Sequence, residues 1–544
     1  MATESFFSNA SLAYLASAGA GKDGKTYSIK PTDGTGDFTF SRGTDLTATR
    51  VGPTGLIEKG RENLLTYSNA FDTLPWVLSN GASVGSRVAD PNGGNDAWEL
   101  NYDGTVGGRI QQQVSITDGG VYVFSIYAKV PSGTRDLQFY TTISASPITI
   151  TLTTTWQRFE LFRTNVGYTQ AFPQLRDNTG IAGTIHIYQA QYEAGTIATD
   201  YIESGASTGK AGLLENEPRF DYSGGATCPS LLLEPSRTNL IMQSEYLTPI
   251  NGGAASYNEE LSPEGYYNGT SITFGATVND SATMGVNTSV SILGNTQYTF
   301  SFYAKSITGD GTFKVRIDTD TTTSLVGQNI TTTSEWDRYT ITFTTDAGAT
   351  SFSGNCRFQA ITANNKIAFY GLQLEQGSYP TSYIPNHSGG SATRTAEKQE
   401  VTGLTSSVLN QSEGSFYIEL QTLSTDAGRV VITSYPTGAS NDTIRFIFTN
   451  QINFGLVSAG TLGDSTNPTS AKVKVAGTYS GTELKLCVNG GAVQKSSGNF
   501  SFANQPTKIY THAFVDTIRL FADIDQMLYF PTALSDADMI TLTT

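Results

Sequence analysis

Short stretches in which apolar and polar residues alternate recur along the chain. Residues 122–128 (Tyr-Val-Phe-Ser-Ile-Tyr-Ala) show the pattern, in which side chains of one parity face a core and the others face outward. The helical period is nearly absent, and its one convincing signal is a short segment at 535–542. The pattern therefore predicts an all-β protein of many short strands with one short helix near its C-terminal end.

Four sequence phrases occur twice, in the same order. Residues 121–129 return as 297–305, and the other three pairs are Arg61-Glu-Asn-Leu with Arg237-Thr-Asn-Leu, Trp156-Gln-Arg158 with Trp336-Asp-Arg338, and Gln191-Tyr-Glu193 with Gln373-Leu-Glu375. The offsets stay between 176 and 182 residues. Each copy covers about 145 residues, a length that suits one β-sandwich. The chain therefore contains a duplicated sandwich module.

The repeat divides the chain into five predicted segments. They are an N-terminal arm with its connector at 1–60, module 1 at 61–207, a connector at 208–236, module 2 at 237–390, and an unrelated C-terminal domain at 391–544. Both connectors hold an apolar stretch that ends in Leu-(Ile/Leu)-Glu, so we expect them to be structured. Flexible linkers would be rich in Gly and Ser.

Composition narrows the class of protein. Charged residues make up 15 % of the chain, whereas 56 Gly and 18 Pro supply many turns. The net charge of −15, without a Lys/Arg cluster, argues against nucleic-acid binding. No apolar run is long enough to span a membrane. Three widely spaced cysteines and the lack of a basic, apolar leader predict synthesis in a reducing cytoplasm without export.

Several phrases resemble known families. The order of a Phe-Ser-x-Tyr-Ala-Lys strand, a Trp-x-Arg strand and a closing Gln-x-Glu-x-Gly strand is similar to that of jelly-roll carbohydrate-binding modules. The phrases at 479–490 and 528–538 resemble a concanavalin-A-like, laminin-G-like sandwich. The phrases at 216–222 and 232–240 resemble those of bacteriophage head spike fibre proteins, and similar wording occurs in phage tail proteins.

These resemblances imply two tandem jelly rolls, then a concanavalin-A-like sandwich, with an N-terminal docking arm. They also imply a homotrimer on the virion surface that binds a capsid or tail protein through its N-terminal region and that can contact a host glycan. The leading hypothesis is a non-enzymatic head fibre or spike. The alternative is a tail-fibre adhesin that recognises surface polysaccharide, and the weakest is a polysaccharide depolymerase.

Catalytic chemistry finds little support in the residues. The chain has three histidines, His186, His387 and His512, and none lies in a metal-binding or nucleophile motif. A glycosidase needs a pair of carboxylates, but Glu193 and Glu375 occur once per repeat. We therefore expect no catalytic residues, and we interpret both glutamates as parts of the fold.

The other repeated residues are interpreted in the same way. We expect each glutamate to accept a hydrogen bond from the arginine of its own module, Arg158 or Arg338. Trp156 and Trp336, which precede these arginines by two residues, are expected to anchor the core of each module.

Residues that occur in only one copy are better candidates for binding. Trp76 and Trp98 have no counterpart in module 2, so these two and Tyr102 are the candidates to stack against a glycan if module 1 binds one. The loop at 90–96 (Asp-Pro-Asn-Gly-Gly-Asn-Asp) could hold Ca²⁺ through its oxygens, although a solvated turn is the simpler interpretation. No other metal or cofactor is expected.

Overall fold

The computed structural model describes residues 2–544 except 19–20, 23, 45, 142–145, 251–252, 276–280, 284–290, 353–356, 425–427, 434–441, 458 and 513–518. Cys356 lies outside the described residues. Within them, helices are confined to Ala2–Asn9, Asp536–Thr543 and the single turns Ala16–Ala18 and Ser223–Gly225. The all-β fold class is confirmed. The predicted C-terminal helix is present, and the Ser535 side chain caps it by accepting a hydrogen bond from the Asp538 N–H.

Module 1 is a sandwich of two five-stranded sheets, here named sheet A and sheet B. In spatial order, sheet A contains Gln157–Thr164, Val121–Lys129, Gly183–Ala194, Ala97–Tyr102 and Ala82–Val88. Sheet B contains Ile148–Leu152, Arg135–Tyr140, Gln174–Asp177, Gly108–Gln111 and Val77–Ser79. Inward-facing residues of both sheets form one buried core. The chain crosses repeatedly between the two sheets, as in a jelly roll, and stays within one sheet only from Ala82–Val88 to Ala97–Tyr102 and from Arg135–Tyr140 to Ile148–Leu152.

Module 2 repeats this arrangement strand for strand. Its sheet A contains Asp337–Thr344, Gln297–Thr308, Lys366–Gln376, Gly269–Thr273 and Ala254–Glu260, and its sheet B contains Val326–Thr331, Thr312–Ile317, Arg357–Ala360, Ser281–Thr283 and Thr248–Ile250. The order of strands in both sheets is identical to that in module 1. The duplication and the tandem jelly rolls are therefore confirmed.

Four short two-stranded pairs lie outside the large sheets in the part of the chain that the structure describes. They are Arg61–Asn63 with Gly209–Ala211, Arg237–Asn239 with Ala392–Arg394, Thr49–Val51 with Ile57–Lys59, and Val114–Ser115 with Gln170–Ala171. The first two pairs occupy equivalent positions in the two copies. Each joins the first strand of a module, here named its base strand, to a strand that follows the module.

The third domain is a larger sandwich. One sheet contains Phe220–Asp221, Ser230–Leu233, Ala522–Phe530, Gly414–Thr422, Val473–Tyr479, Glu483–Val488 and Gln494–Ser497, with Leu12–Leu15 paired to Ala522–Phe530. The other contains Gly21–Lys22, Lys25–Thr26, Phe38–Ser41, Lys398–Thr402, Lys508–Tyr510, Gly428–Thr433, Thr443–Phe448, Ile452–Leu456 and Gly460–Asp464. A single core fills the space between the two sheets.

This sandwich corrects two predicted boundaries. The strands Leu12–Leu15 and Phe38–Ser41 do not belong to an arm, because Leu12 pairs with Tyr529 and Phe40 pairs with Gln399 as members of the two sheets. The connector strand Ser230–Leu233 likewise pairs with the strand that contains Ile524. Because their apolar side chains are buried in the same core, these segments belong to the C-terminal sandwich. The two jelly rolls are therefore inserted between strands of one domain.

Buried charges join the inserted modules to this sandwich. Arg219 and Arg42 contact Glu397, while Arg394 contacts Glu234 at 2.8 Å, and all five side chains are at least 96 % buried. Burial alone would raise the pKa of Glu234, but Arg394 and Arg219 lower it to about 2. The junction is therefore held by ionised groups that are shielded from water.

A second buried cluster joins module 1 to module 2. Lys59 lies 2.7 Å from a carboxylate oxygen of Glu245 and 3.0 Å from one of Glu264. Arg61 also contacts Glu264, and its guanidinium lies 4.8 Å from the ring centre of Tyr266. The two jelly rolls therefore have a specific, charge-paired interface.

Candidate functional site

The repeated Arg-x-Asn-Leu phrase supplies a buried clamp in each module. The Asn63 amide donates to the carbonyls of Ala190 and Ile202, and its oxygen accepts from the N–H groups of Leu65 and Tyr192. Asn239 repeats all four bonds in module 2, with Leu372, Ile384, Ile241 and Leu374. Both asparagines are completely buried, so this phrase serves the fold.

The repeated glutamates are also saturated within their modules. Glu193 accepts hydrogen bonds from the side chain of Gln191 (2.6 Å) and from the N–H and hydroxyl of Thr199 (2.8 and 2.6 Å). Glu375 makes the same three bonds with Gln373 and Thr381. Buried carboxylates with all their bonds made inside the module support a structural role.

The predicted partners of these glutamates differ from those in the structure. Arg158 donates to the Ser125 hydroxyl at 3.0 Å, and Arg338 donates to the Ser301 hydroxyl at 2.9 Å. These arginines lie on the edge strand of sheet A, which the strand Val121–Lys129 in module 1 and Gln297–Thr308 in module 2 separate from the strand of the glutamates. Each glutamate instead accepts a hydrogen bond from the glutamine two positions earlier on its own strand, because residues two apart in a strand lie on the same face.

The repeated tryptophans do not anchor the cores. Trp156 and Trp336 are only partly buried and lie on the outer face of sheet A. The ammonium group of Lys129 lies 5.1 Å from the ring centre of Trp156, and that of Lys305 lies 5.2 Å from that of Trp336. Each tryptophan therefore covers the outside of its sheet through a cation–π contact.

The three glycan-binding candidates are buried in the core of module 1. Trp76, Trp98 and Tyr102 are exposed by 5 %, 7 % and 3 %, respectively. The indole N–H of Trp76 donates to the Tyr67 carbonyl, and that of Trp98 donates to the Asn69 carbonyl. Rings enclosed in this way cannot stack against a sugar, so the prediction that these three residues bind a glycan is wrong.

The Asp-rich loop at 90–96 is closed by its own backbone. The Asp90 carboxylate accepts from the N–H groups of Asn92, Gly94 and Asp96. These bonds, of which that to Asp96 is the largest influence, lower the pKa of Asp90. The geometry is that of a side-chain-closed turn.

The histidines are dispersed. Burial is the main reason why the pKa of His186 is lowered, and His512 lies 3.1 Å from Glu400. His387, predicted to lie in a linker, is instead buried 3.5 Å from Glu245 at the interface between the modules. The part of the chain that the structure describes contains no cluster of three His, Cys, Asp or Glu side chains suited to a metal ion.

Sheet B of module 1 carries a band of six polar side chains on the face away from the core, of which Gln174 is buried and the other five are half-buried. Two rows cross its three central strands: Gln138–Arg176–Arg109 and Tyr140–Gln174–Gln111. Neighbours within a row are directly opposite each other, which places their Cβ atoms about 4.5–5.5 Å apart. The residues between them, such as Leu137 and Phe139, are buried in the core. We call these six residues the polar face.

Internal hydrogen bonds order the polar face. Arg109 Nε donates to Gln111 Oε1 at 3.1 Å, and the Tyr140 hydroxyl donates to Gln138 Oε1 at 3.2 Å. Guanidinium, amide and phenol groups are planar hydrogen-bonding groups that suit sugar hydroxyls, and the tyrosine adds an apolar ring. None of the six residues is acidic, so the polar face can bind a polyhydroxylated ligand but offers no carboxylate for acid–base chemistry.

The polar face was not predicted from the sequence, although the alternation of apolar and polar residues in one of its strands indicates part of it. In Arg135-Asp-Leu-Gln-Phe-Tyr140, the apolar Leu137 and Phe139 share one parity, which leaves Gln138 and Tyr140 on the outward side. Alternation gives the parity within one strand, but it does not show which strands are neighbours. The equivalent sheet of module 2 also places two arginines opposite each other, Arg316 and Arg357, but there Arg316 is paired with Asp318 at 2.9 Å.

The fold and the site define a protein of three β-sandwiches, two of them duplicated jelly rolls. No protein-family model matches the chain, and no curated protein matches it. Among solved structures, the chain is similar to the tandem CBM22 domains of Paenibacillus barcinonensis Xyn10C, with 12 % identity, 58 % of this chain and 98 % of that chain covered, and a TM-score of 0.24.

Two further solved structures are similar over smaller parts of the chain. They are mouse laminin α1 domains LG4-5 (10 % identity, 49 % and 91 % covered, TM-score 0.18) and the enzymatically active domain of bacteriophage CBA120 tailspike protein 4 (16 % identity, 24 % and 21 % covered, TM-score 0.20). Likeness at this level does not decide ligand or activity, so the fold class rests on the sheets themselves. No described helix is long and apolar enough to cross a membrane.

Proposed function

We propose that this chain is a non-enzymatic glycan-binding protein of a phage virion surface and that the polar face of module 1 is its binding surface. One observation carries the glycan-binding part: Arg109 and Arg176 are directly opposite each other on neighbouring strands. Like charges in this position destabilise a sheet. A ligand rich in oxygen atoms would offset that cost, whereas the fold alone gains nothing from it.

Isothermal titration with the best ligands from a glycan array tests this binding surface. We expect Arg176→Gln to weaken binding about 10-fold or more, because a charge-assisted hydrogen bond contributes about 1.5–3 kcal/mol. Lys314→Ala, a change on the equivalent sheet of module 2, is the matched control and should leave the affinity unchanged. Equal affinity of the wild type and Arg176→Gln for every array ligand would refute the proposal.

The absence of catalysis is tested separately. Bound polysaccharide should keep its length after prolonged incubation with the protein, as judged by chromatography and by the number of reducing ends. New reducing ends that disappear with a carboxylate substitution would favour the depolymerase hypothesis.

The virion part of the proposal rests on the sequence phrases at 216–222 and 232–240. We propose a head fibre or spike, homotrimeric, that docks on a capsid protein through its N-terminal region. Immunogold electron microscopy of virions would place the label on the head, while label on the tail would favour the adhesin alternative. Light scattering of the purified chain should give three times its 58.1 kDa mass.

A further inference from the structure

Module 2 contains an open groove that differs from the polar face. Its volume is about 690 Å³, and every lining residue except Ser236 of the preceding connector belongs to module 2. The walls are formed by the base strand Arg237–Asn239, the start of Gln297–Thr308 and the end of Lys366–Gln376. A groove of this size can hold one or two sugar units.

Module 1 has the equivalent groove, but it is filled. Arg61, Leu64 and Tyr122 line it at the positions that Arg237, Leu240 and Tyr298 occupy in module 2. The segment 385–388 of module 2 enters it, and the Val121 N–H donates to the His387 carbonyl at 2.9 Å. Only about 220 Å³ remains. Within the described residues, the duplication thus provides an internal comparison between an occupied and an unoccupied groove.

The arginines of the two grooves also differ in their acidic partners. Arg61 contacts Glu264 from the other module and also lies 3.8 Å from Glu193. Arg237 has a single carboxylate nearby, that of Glu375 at 3.7 Å, which is beyond hydrogen-bond distance. Among the described residues that line the groove, Arg237 is the one charged side chain.

The position of Arg237 leaves donors available to a ligand. Its guanidinium lies 5.4 Å from the ring centre of Tyr379, and Nη1 donates to the Ser236 carbonyl. Nη2 has no hydrogen-bond partner among the described residues. Hydroxyl and amide groups of Thr238, Gln297 and Gln376 complete the lining.

We infer that this groove binds a carboxylated saccharide, with the ligand carboxylate on Arg237 and its hydroxyls on the surrounding amides and hydroxyls. A planar guanidinium recognises a carboxylate through paired hydrogen bonds, and no lining carboxylate competes for it. This inference deepens the proposed glycan binding by naming a ligand class, but it concerns a separate site on the other module.

Titration of the full chain with trigalacturonate, and with the neutral galactose trimer of the same linkage, tests the inference. We expect the acidic trimer to bind at least 10-fold more tightly than the neutral one, and added salt to weaken it. Ser378→Trp, which places a large ring at an exposed lip of the groove, should reduce trigalacturonate binding at least 10-fold. Arg237→Lys should reduce it too, because the charge remains but the planar fork is lost.

Two controls separate this site from the polar face. Arg176→Gln should leave trigalacturonate binding unchanged, and the unfolding midpoint of Ser378→Trp should match that of the wild type. Undiminished binding by Ser378→Trp, or equal binding of the neutral trimer, would overturn the inference. Trigalacturonate binding that is lost in Arg176→Gln and kept in Ser378→Trp would also overturn it, while leaving the proposed function intact.

Discussion

Replacing the buried asparagine of one module should unfold that module selectively. Asn239→Ala removes four hydrogen bonds and leaves the N–H groups of Ile241 and Leu374 buried without their acceptor. Each unsatisfied buried group costs about 1–3 kcal/mol. With partial relaxation, we expect a loss of about 3–5 kcal/mol in the free energy of unfolding of module 2, a large fraction of the stability of a typical domain.

Amide hydrogen exchange read by mass spectrometry can assign this loss to one module. Exchange of the strand Gln297–Thr308 should accelerate by about 10²–10³-fold in Asn239→Ala, because each 1.4 kcal/mol corresponds to a factor of ten. The equivalent strand of module 1, Val121–Lys129, should be affected far less. Asn63→Ala should produce the mirror-image result.

An exposed asparagine provides the control. Asn329 lies on an outer strand of module 2, and Asn329→Ala should change exchange in neither module. A loss below about 1 kcal/mol in both Asn63→Ala and Asn239→Ala would refute the reasoning, since the clamp would then carry no more energy than an ordinary surface contact.

Three further outcomes follow from the buried charges and from the sheet topology. The pKa of Glu234 is lowered to about 2, so its contribution to stability should be present above the ordinary pKa of 4.5 and be lost as the pH falls towards 2. Glu234→Gln should lack this acid-dependent loss when its thermal unfolding is measured as a function of pH. Burial, with Asp221 as the next cause, raises the pKa of Asp523 to about 7, so stability is favoured below pH 3.8 and is lost as the pH rises through 7. Asp523→Asn should therefore raise the unfolding temperature at pH 8 and leave it unchanged at pH 3. Deletion of residues 1–41 should prevent the C-terminal sandwich from folding, as judged by its proteolysis, whereas a dispensable arm would be removed without effect.

Local signals explain what the sequence could predict. The strands and the duplication were predicted because alternation and repeated phrases lie within short windows. The same parity rule, applied to Ala97–Tyr102, places Trp98, Leu100 and Tyr102 on one face and Glu99 on the other. The rule therefore indicates that these aromatic residues are buried, and only the lack of a counterpart of Trp98 in module 2 suggested binding.

Long-range pairing explains what could not be predicted. The strand Leu12–Leu15 is short, and nothing near it identifies its partner at the other end of the chain. The polar face likewise requires knowledge of which strands are neighbours, because its two rows draw on three separate segments. The groove of module 2 became visible only when both copies could be compared in space.

Strands from an early part of the chain belong to the C-terminal sandwich, so this sandwich cannot fold until their late partners have been synthesised. Phe38–Ser41 leaves the ribosome first, but its partner Lys398–Thr402 follows about 360 residues later, which at about 5–20 residues per second is a delay of about 20–70 s. Module 1, whose last paired strand is Gly209–Ala211, can complete its folding in that interval, whereas the strand Ala392–Arg394, which pairs with module 2, is synthesised directly before Lys398–Thr402. Until then the edge of Phe38–Ser41 that pairs with Lys398–Thr402 stays unpaired, so this segment of the nascent chain is vulnerable to aggregation and to proteases.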